Sequence, residues 1–152
     1  MKIRFFISLL LTIVFLLYNS LILGLGLNLL YLVDISSILI VIIFPLVFMW
    51  ILNGWKSISS AFLIINDKNK NKKDLLKAKA FFENYGKTIL TIAFVAFIVA
   101  FISMMKNLED KAALGPNIAL AAITLAYGGI INMIVILPYK SFINRKILEV
   151  EE

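Results

Sequence analysis

Long apolar stretches separated by short polar segments dominate this chain. Between Arg4 and Lys56 the only formal charge is that of Asp34. A helix that crosses a bilayer needs about 20 mostly apolar residues. By that measure the pattern predicts an all-α integral membrane protein with four transmembrane helices, at residues 5–25, 35–52, 88–105 and 118–137. We expect the four helices to form two hairpins.

The polar segments divide the chain into a first transmembrane hairpin (1–55), a basic linker with a short helix (56–87), a second hairpin (88–139) and a tail (140–152). Residues 67–73 (DKNKNKK) are too polar to bury. Residues 74–85 are predicted to form a short helix with Asp74 as N-cap, which Gly86 separates from the third span. That helix is either interfacial, lying on lipid headgroups, or part of a small cytoplasmic collar. It has one apolar stripe: Leu75, Ala78, Phe82 and Tyr85.

Basic residues are distributed unevenly between the predicted loops. All but Lys106 and Lys111 of the 15 Lys and Arg residues fall before the first span, in the linker or in the tail. Because cytoplasmic loops are enriched in Lys and Arg, we predict a multi-pass protein of a bacterial-type inner (plasma) membrane with both termini cytoplasmic. The net charge of +6 reflects this rule and attraction to anionic lipid, so no nucleic-acid partner is predicted.

Two residue types with rich site chemistry are absent from the sequence. The chain is 62% hydrophobic and contains neither cysteine nor histidine. Disulfides, thiolate metal sites and the commonest metal ligand are therefore excluded. The acidic residues fall in predicted loops and ends without a nucleophile–base pair or a metal cluster. We predict no enzyme activity, no cofactor and no metal.

Small residues recur at matching positions in the third and fourth spans. Each set follows the spacing i, i+3, i+7, i+10, which places its members on one narrow helix face. Small side chains on such a face let two helix backbones approach closely, so we predict helix packing there, with Gly128 beside it. The sets are Ala93, Ala96, Ala100 and Ser103, and Ala119, Ala122, Ala126 and Gly129.

Polar side chains also occur inside these two spans. Their hydroxyl and amide groups either line a hydrated path or bond to a neighbouring backbone carbonyl, which is the commoner use in membrane helices. The positions are Thr91, Ser103, Thr124, Tyr127 and Asn132.

The second hairpin resembles a known family. The pattern LxDxxxLGPxxALxxxTxxYG, followed by a proline, is similar to the last hairpin of the MotA/TolQ/ExbB proton-channel family. Residues 33–37 and 79–87 also resemble segments of its members. The matching positions in the hairpin are Leu108, Asp110, Leu114, Gly115, Pro116, Ala119, Thr124, Tyr127, Gly128 and Pro138.

The resemblance implies a homo-oligomeric ring around the transmembrane helices of a single-span MotB/TolR/ExbD-like partner, whose intramembrane Asp takes and releases the proton. The present residues fit that division of roles, because no predicted span carries Asp, Glu, Lys, Arg or His in its core. An isolated chain therefore offers no titratable group for a proton relay. The expected ion-path or partner-facing residues are Thr124, Tyr127, Phe97 and Ser103.

Several positions depart from the family pattern. Leu90 stands where a proline is usual in the third helix, and Phe97 stands at the threonine position facing the ion path. Ile43 and Phe44 replace a glycine pair of the second helix. The large cytoplasmic domain of flagellar stators is absent. Phenylalanine cannot hydrogen-bond the water around an ion, so these departures weigh against active conduction and against flagellar torque.

Two interpretations are open for each of three residues. Asp34 is either a cap at the outer mouth of the second span or an inter-subunit contact. Pro138 either marks a bend of the fourth helix or, as the resemblance implies, couples ion flow to movement. Tyr127 needs a hydrogen-bond partner for its hydroxyl, in an inter-helix contact or in the pore.

Two functions follow from these observations. The first is a channel or stator-like subunit of a membrane complex driven by an ion-motive force. The alternative is a non-conducting relative that acts as a membrane scaffold or assembly protein. A small dimeric transporter is disfavoured, because it would need an intramembrane carboxylate.

Overall fold

The computed structural model describes residues 2–22, 33–64, 71–106, 108–109 and 111–151. This part of the chain is almost entirely helical and contains no strand. The helices are α1 (Lys2–Ile22), α2 (Ile35–Leu63), α3 (Lys72–Lys106), α4 (Lys111–Ile131) and α5 (Leu137–Glu151), with a π-helical turn (Asn132–Ile136) joining the last two. The predicted turn of the first hairpin and most of the polar segment 67–73 lie outside the described residues.

Three segments in this part of the chain are long and apolar enough to cross a membrane: Ile35–Leu63, Lys72–Lys106 and Ala112–Val150. The fold is thus all-α and suited to a bilayer, in agreement with the apolar pattern. The apolar part of α1, Phe6–Asn19, is shorter, and the predicted first span runs past the described residues. A fourth transmembrane helix therefore stays a prediction.

α1 packs mainly against the π-helical turn and α5. Its Ser8 hydroxyl donates a hydrogen bond to the Met133 carbonyl at 3.2 Å. Most large side chains of α1 are exposed, among them Leu10 and Leu21. These contacts do not confirm the predicted pairing of α1 with α2 as a hairpin.

α2 begins at Ile35, as predicted, because Asp34 caps it with a side chain that accepts from the Ser37 backbone N–H. The helix is interrupted at Gly54, whose φ of 74° and ψ of 156° belong to a region that is almost exclusive to glycine. The predicted span 35–52 ends just before this kink. A straight helix from 35 to 53 would be about 28 Å long, close to the thickness of a hydrocarbon core.

The prediction that Gly86 separates two helices is wrong, because α3 runs without a break from Lys72 to Lys106. A Cβ atom at Gly86 would lie 2.8 Å from both Asn132 Oδ1 and Ile136 Cγ2. The glycine therefore admits close packing with the chain beyond α4. That contact outweighs the roughly 1 kcal/mol that glycine costs in a helix interior.

The part of the bundle where residues 65–71 connect α2 to α3, hereafter the linker end, contains the aromatic part of the hydrophobic core. Phe82 lies 5.1 Å from Phe62 of α2 and 4.7 Å from Tyr139 of α5, measured between ring centroids. The predicted stripe of Leu75, Ala78, Phe82 and Tyr85 is buried here, with at most 4% exposure at any position. A stripe buried inside the protein cannot lie on lipid headgroups. The structure thus favours the collar over the interfacial helix.

α4 lies along α3, and the two helices are in close contact at Gly128, where a Cβ atom would lie 2.7 Å from the Cβ of Ala93. The irregularity near Pro138 takes the form of the π-helical turn just before it, in which the Leu137 N–H donates to the Asn132 carbonyl. A proline lacks an N–H and clashes with the carbonyl four residues earlier. The wider turn ahead of Pro138 accommodates this, and the helix continues into α5.

Candidate functional site: a hydroxyl cleft between three helices

The ends of α2 and α3 farthest from the linker, together with α4, enclose a cavity of about 290 Å³, hereafter the hydroxyl cleft. Ile40, Ala96 and Ala100 supply much of its apolar wall. Its polar lining comes from all three helices and consists of Asp34, Ser36, Ser37, Ser103, Asn117 and Thr124. The cleft therefore brings together two predicted path residues, Ser103 and Thr124, with the predicted cap Asp34.

A buried hydroxyl pair crosses the cleft. The Ser37 and Thr124 hydroxyl oxygens are 2.6 Å apart, and both residues are buried. Thr124 also donates to the Leu120 carbonyl at 3.1 Å. Either hydroxyl can be the donor in the pair. The arrangement leaves lone pairs of both oxygens near the cavity, where water or an ion's hydration shell can be bound.

Asp34 and Tyr127 join the mouth of the cleft to α4. The Asp34 carboxylate accepts the Ser37 backbone N–H at 2.6 Å, which confirms the predicted cap. The Asp34 backbone N–H in turn donates to the Tyr127 hydroxyl at 3.0 Å. The inter-helix interpretation of Tyr127 is thereby confirmed, since its hydroxyl fixes the start of α2 against α4.

Hydrogen bonds from Ser37, first through its side chain and then through its backbone, hold the pKa of the Asp34 carboxyl below its usual value of 3.8. A lowered folded-state pKa stabilises the protein at pH values above the unfolded-state pKa. We expect that contribution to be lost as the pH falls from 3.8 through the folded-state pKa.

Replacement of Asp34 tests this cap. We expect Asp34→Ala to lower the free energy of unfolding by about 1 kcal/mol at neutral pH, and Asp34→Asn to retain most of the stability, because asparagine is an equally good cap. Unfolding by titration with a denaturing detergent, followed by circular dichroism, would measure the free energy of unfolding of both variants. Equal losses in the two variants would show that the carboxylate acts other than as a cap.

The hydroxyl pair makes a separate prediction. Thr124→Val removes one partner and leaves the buried Ser37 hydroxyl unsatisfied, which should cost about 1–3 kcal/mol of unfolding free energy. In the double variant Ser37→Ala with Thr124→Val both partners are apolar, so most of that loss should be recovered. A double-mutant cycle measures the coupling. Additive losses would contradict a direct bond between the two hydroxyls.

The small residues of α3 and α4 differ in how they lie in the structure. Ala93 is fully buried, and Ala96 and Ala100 line the cleft. The α4 set does not pack inside the chain, so its predicted packing against another helix stays a prediction. Ala119, Ala122 and Ala126 are exposed, and a Cβ atom at Gly129 would meet nothing within 4 Å.

α4 packs within the chain through the neighbouring face instead, which contains Ala121, Thr124 and Gly128. Small residues occupy both faces of this helix, so their spacing alone did not decide between them. The signal that distinguishes the buried face is the pair of polar residues it carries, Thr124 and Tyr127, which need hydrogen-bond partners.

Two predicted path residues, Tyr127 and Phe97, do not line the cleft. Phe97 lies away from it. Its ring is half-buried and stacks on Phe101 with centroids 6.3 Å apart, and it does not line the cavity. Asn132 takes the second of its two predicted uses, because its amide donates to the carbonyls of Gly128 at 3.0 Å and Gly86 at 3.3 Å.

Toward the linker end, the next turns of α2 and α3 carry buried apolar side chains. Val41, Ile89 and Ala93 have no measurable exposure. In the described part of the chain no cluster of three or more acidic, histidine or cysteine side chains could hold a metal. The cleft is therefore a polar recess whose floor is apolar, with Asp34 as the acidic group at its mouth.

No protein-family model matches this chain. The uncharacterised protein YtxD of Bacillus subtilis strain 168 is 25% identical over 95 residues, which is 62% of this chain. The matched region corresponds to 35% of the length of YtxD. This similarity assigns no activity.

Proposed function

We propose that this protein is a channel or stator-like subunit of a membrane complex driven by an ion-motive force. In this proposal several copies form a ring around the transmembrane helices of a single-span partner of the MotB/TolR/ExbD kind, which supplies an intramembrane aspartate. The observation that carries the proposal is the hydroxyl cleft, to which the resembling hairpin of α3 and α4 contributes Ser103 and Thr124.

The chemistry of the cleft suits a subunit that hydrates a path without carrying the charge. Apart from the Asp34 carboxylate at its mouth, the polar lining of the cleft consists of hydroxyl and amide groups. These groups can replace part of the water around an ion, but they do not take up a proton at physiological pH. A proton path through the membrane therefore needs an ionisable group from elsewhere. The single-span partner is proposed to fill that role.

The exposed face of α4 supports the assembly part of the proposal. Ala119, Ala122 and Ala126 leave a narrow strip without bulky side chains, against which another helix can approach closely. These alanines do not pack inside the chain, so they are free to pack between chains. We propose that this strip contacts either the neighbouring subunit or the partner helix.

The proposed orientation of the protein in the membrane follows from the distribution of its basic residues. The linker end carries many of the described basic residues, including Lys56, Lys87 and Lys140, and the positive-inside rule then places it in the cytoplasm. The core around Phe82 would form a collar at the cytoplasmic surface of the bilayer.

Two observations favour the scaffold alternative. Buried apolar side chains, Val41, Ile89 and Ala93, follow the polar lining toward the linker end, and Phe97 lies outside the cleft. A subunit with this interior could organise a complex without passing ions. Ion flux measured in proteoliposomes, with and without the partner, separates the two functions.

The first test is a mild-detergent purification of the tagged chain from native membranes, followed by determination of the mass of the intact complex. The proposal expects a closed ring that retains a single-span protein with an intramembrane Asp. A dimer would contradict the stator proposal. A ring without such a partner would contradict it as well and would support the scaffold.

A matched pair of variants tests the proposed assembly surface. Ala122→Trp places a bulky side chain on the exposed strip of α4 and should abolish the ring, because small residues are what allow close approach there. Leu39→Trp, at an exposed position of α2, should leave the ring intact. Native mass spectrometry and circular dichroism would show whether assembly is lost while helicity is kept. An intact Ala122→Trp ring would reject this surface.

A further inference from the structure

A second and much larger cavity lies between α1 and the segment that follows α4. It has a volume of about 1040 Å³ and is lined from Phe6 to Phe15 on α1 and from Met133 to Glu149 on the opposite side. This volume is at the upper limit of typical small-molecule pockets, which span roughly 300–1,000 Å³. We call it the α1–α5 groove.

The groove changes character along its length. On α1 the lining is apolar, with Leu11 and Phe15 as large contributors, and Leu137 continues the apolar surface across the groove. Ser8 and Met133 hold the two walls together by a hydrogen bond inside this region. A groove lined in this way, in a protein suited to a bilayer, fits an acyl chain better than a polar ligand.

The far end of the groove on α5 is charged. Arg145, Lys146 and Glu149 line it there. The Lys146 ammonium is paired with the Glu149 carboxylate one turn later. No ion pair is found for Arg145 among the described residues, and the side chain is exposed. Its guanidinium presents two parallel donors that suit a phosphate.

From this juxtaposition we infer that the α1–α5 groove binds one anionic phospholipid, with an acyl chain between α1 and Leu137 and the phosphate at Arg145. The match is one of charge and polarity. The apolar groove ends at Arg145, which has no ion pair with any described residue, as an anionic lipid's tail ends at its phosphate. The site lies at the linker end on α5, away from the hydroxyl cleft. It therefore holds whether or not the protein conducts ions.

The lipid would also explain how α1 is held. α1 touches the bundle mainly through the π-helical turn and α5, while the groove separates it from much of α5. A bound acyl chain fills that space and connects the two surfaces by van der Waals contacts, which are individually small and collectively stabilising.

The test uses the full chain in nanodiscs that contain equal amounts of phosphatidylglycerol and phosphatidylcholine, followed by native mass spectrometry of the released protein. We expect one phosphatidylglycerol to be retained per chain in preference to phosphatidylcholine. Arg145→Gln should reduce that preference on the order of tenfold, because a charge-assisted bond to phosphate is lost. Lys87→Gln, which removes the same charge from an exposed site of α3, should leave it unchanged.

A groove-filling variant separates this site from general attraction to the basic surface. Ser141, an exposed residue of the groove lining, can be replaced by tryptophan without burying a polar group, and Ser141→Trp should abolish retention of the lipid. Equal loss in Arg145→Gln and Lys87→Gln would overturn the inference in favour of non-specific charge. Retention of both lipids alike would overturn it too. A lipid-free dimer that Ser141→Trp converts to monomer would instead show that a second copy fills the groove.

Discussion

Replacing Phe82 by alanine is expected to lower the free energy of unfolding by about 3–5 kcal/mol, as large-to-small changes at fully buried aromatic residues do. Phe82 has no measurable exposure, and its ring contacts those of Phe62 on α2 and Tyr139 on α5. One side chain thus joins three helices at the linker end. Its removal leaves a cavity that none of the three can close alone.

Phe94→Ala is the matched control for this variant. Phe94 lies on the same helix, three turns further on, but is 54% exposed, so its truncation leaves no internal cavity and should change stability by only about 0.5 kcal/mol. Unfolding by sodium dodecyl sulfate in mixed micelles, followed by far-ultraviolet circular dichroism, would measure both. Similar losses in the two variants would show that the linker end has no packed core.

The Phe82 result would bear on the site through α5. The aromatic core and the ion pair of Lys140 with Glu83, at 3.6 Å, hold α5 against α3 directly after the π-helical turn. If Pro138 couples ion flow to movement, the movement must pass through this contact. A destabilised core should therefore disturb coupling before it disturbs the hydroxyl cleft, which lies at the other end of the bundle.

The three long apolar segments were predicted from the sequence, because each contains an apolar stretch that no charged residue interrupts. The start of α2 followed from Asp34 alone, since a cap next to an apolar run is a local signal. Gly86 was misinterpreted because its effect depends on contacts with Asn132 and Ile136, some fifty positions later. Local propensity cannot reveal whether a glycine ends a helix or admits a neighbour.

The candidate site was predicted only in part for a similar reason. Thr124 and Ser103 were found from their polarity inside apolar spans. Ser37, which bonds to Thr124 from 87 positions away, looked like an ordinary residue of a helix start. Its role depends on how α2 is placed against α4, and hydrophobic periodicity within one helix carries no information about that register.

Gly128→Ala should strongly destabilise the packing of α3 against α4. The added Cβ atom would lie 2.7 Å from the Cβ of Ala93, and real carbon atoms do not approach so closely. Neither Cβ can rotate away, because both are attached directly to helix backbones. α3 and α4 must therefore separate, and overpacking of this kind costs about 1–3 kcal/mol.

Two further variants show whether that contact is the cause. Gly129→Ala adds the same methyl group one residue later, where nothing lies within 4 Å, and should be neutral or stabilising by up to about 1 kcal/mol. Adding Ala93→Gly to Gly128→Ala removes the opposing Cβ and should restore the helix spacing. The free energy of unfolding should then recover, except for the roughly 1 kcal/mol that glycine costs in a helix. Rescue would establish that α3 and α4 meet at this pair. Because Thr124 precedes Gly128 by one turn on the same face, the same rescue should restore the coupling between the Ser37 and Thr124 hydroxyls. If the double variant does not recover stability, the two helices pack through other residues. The hydroxyl cleft would then be lined by a different set of side chains.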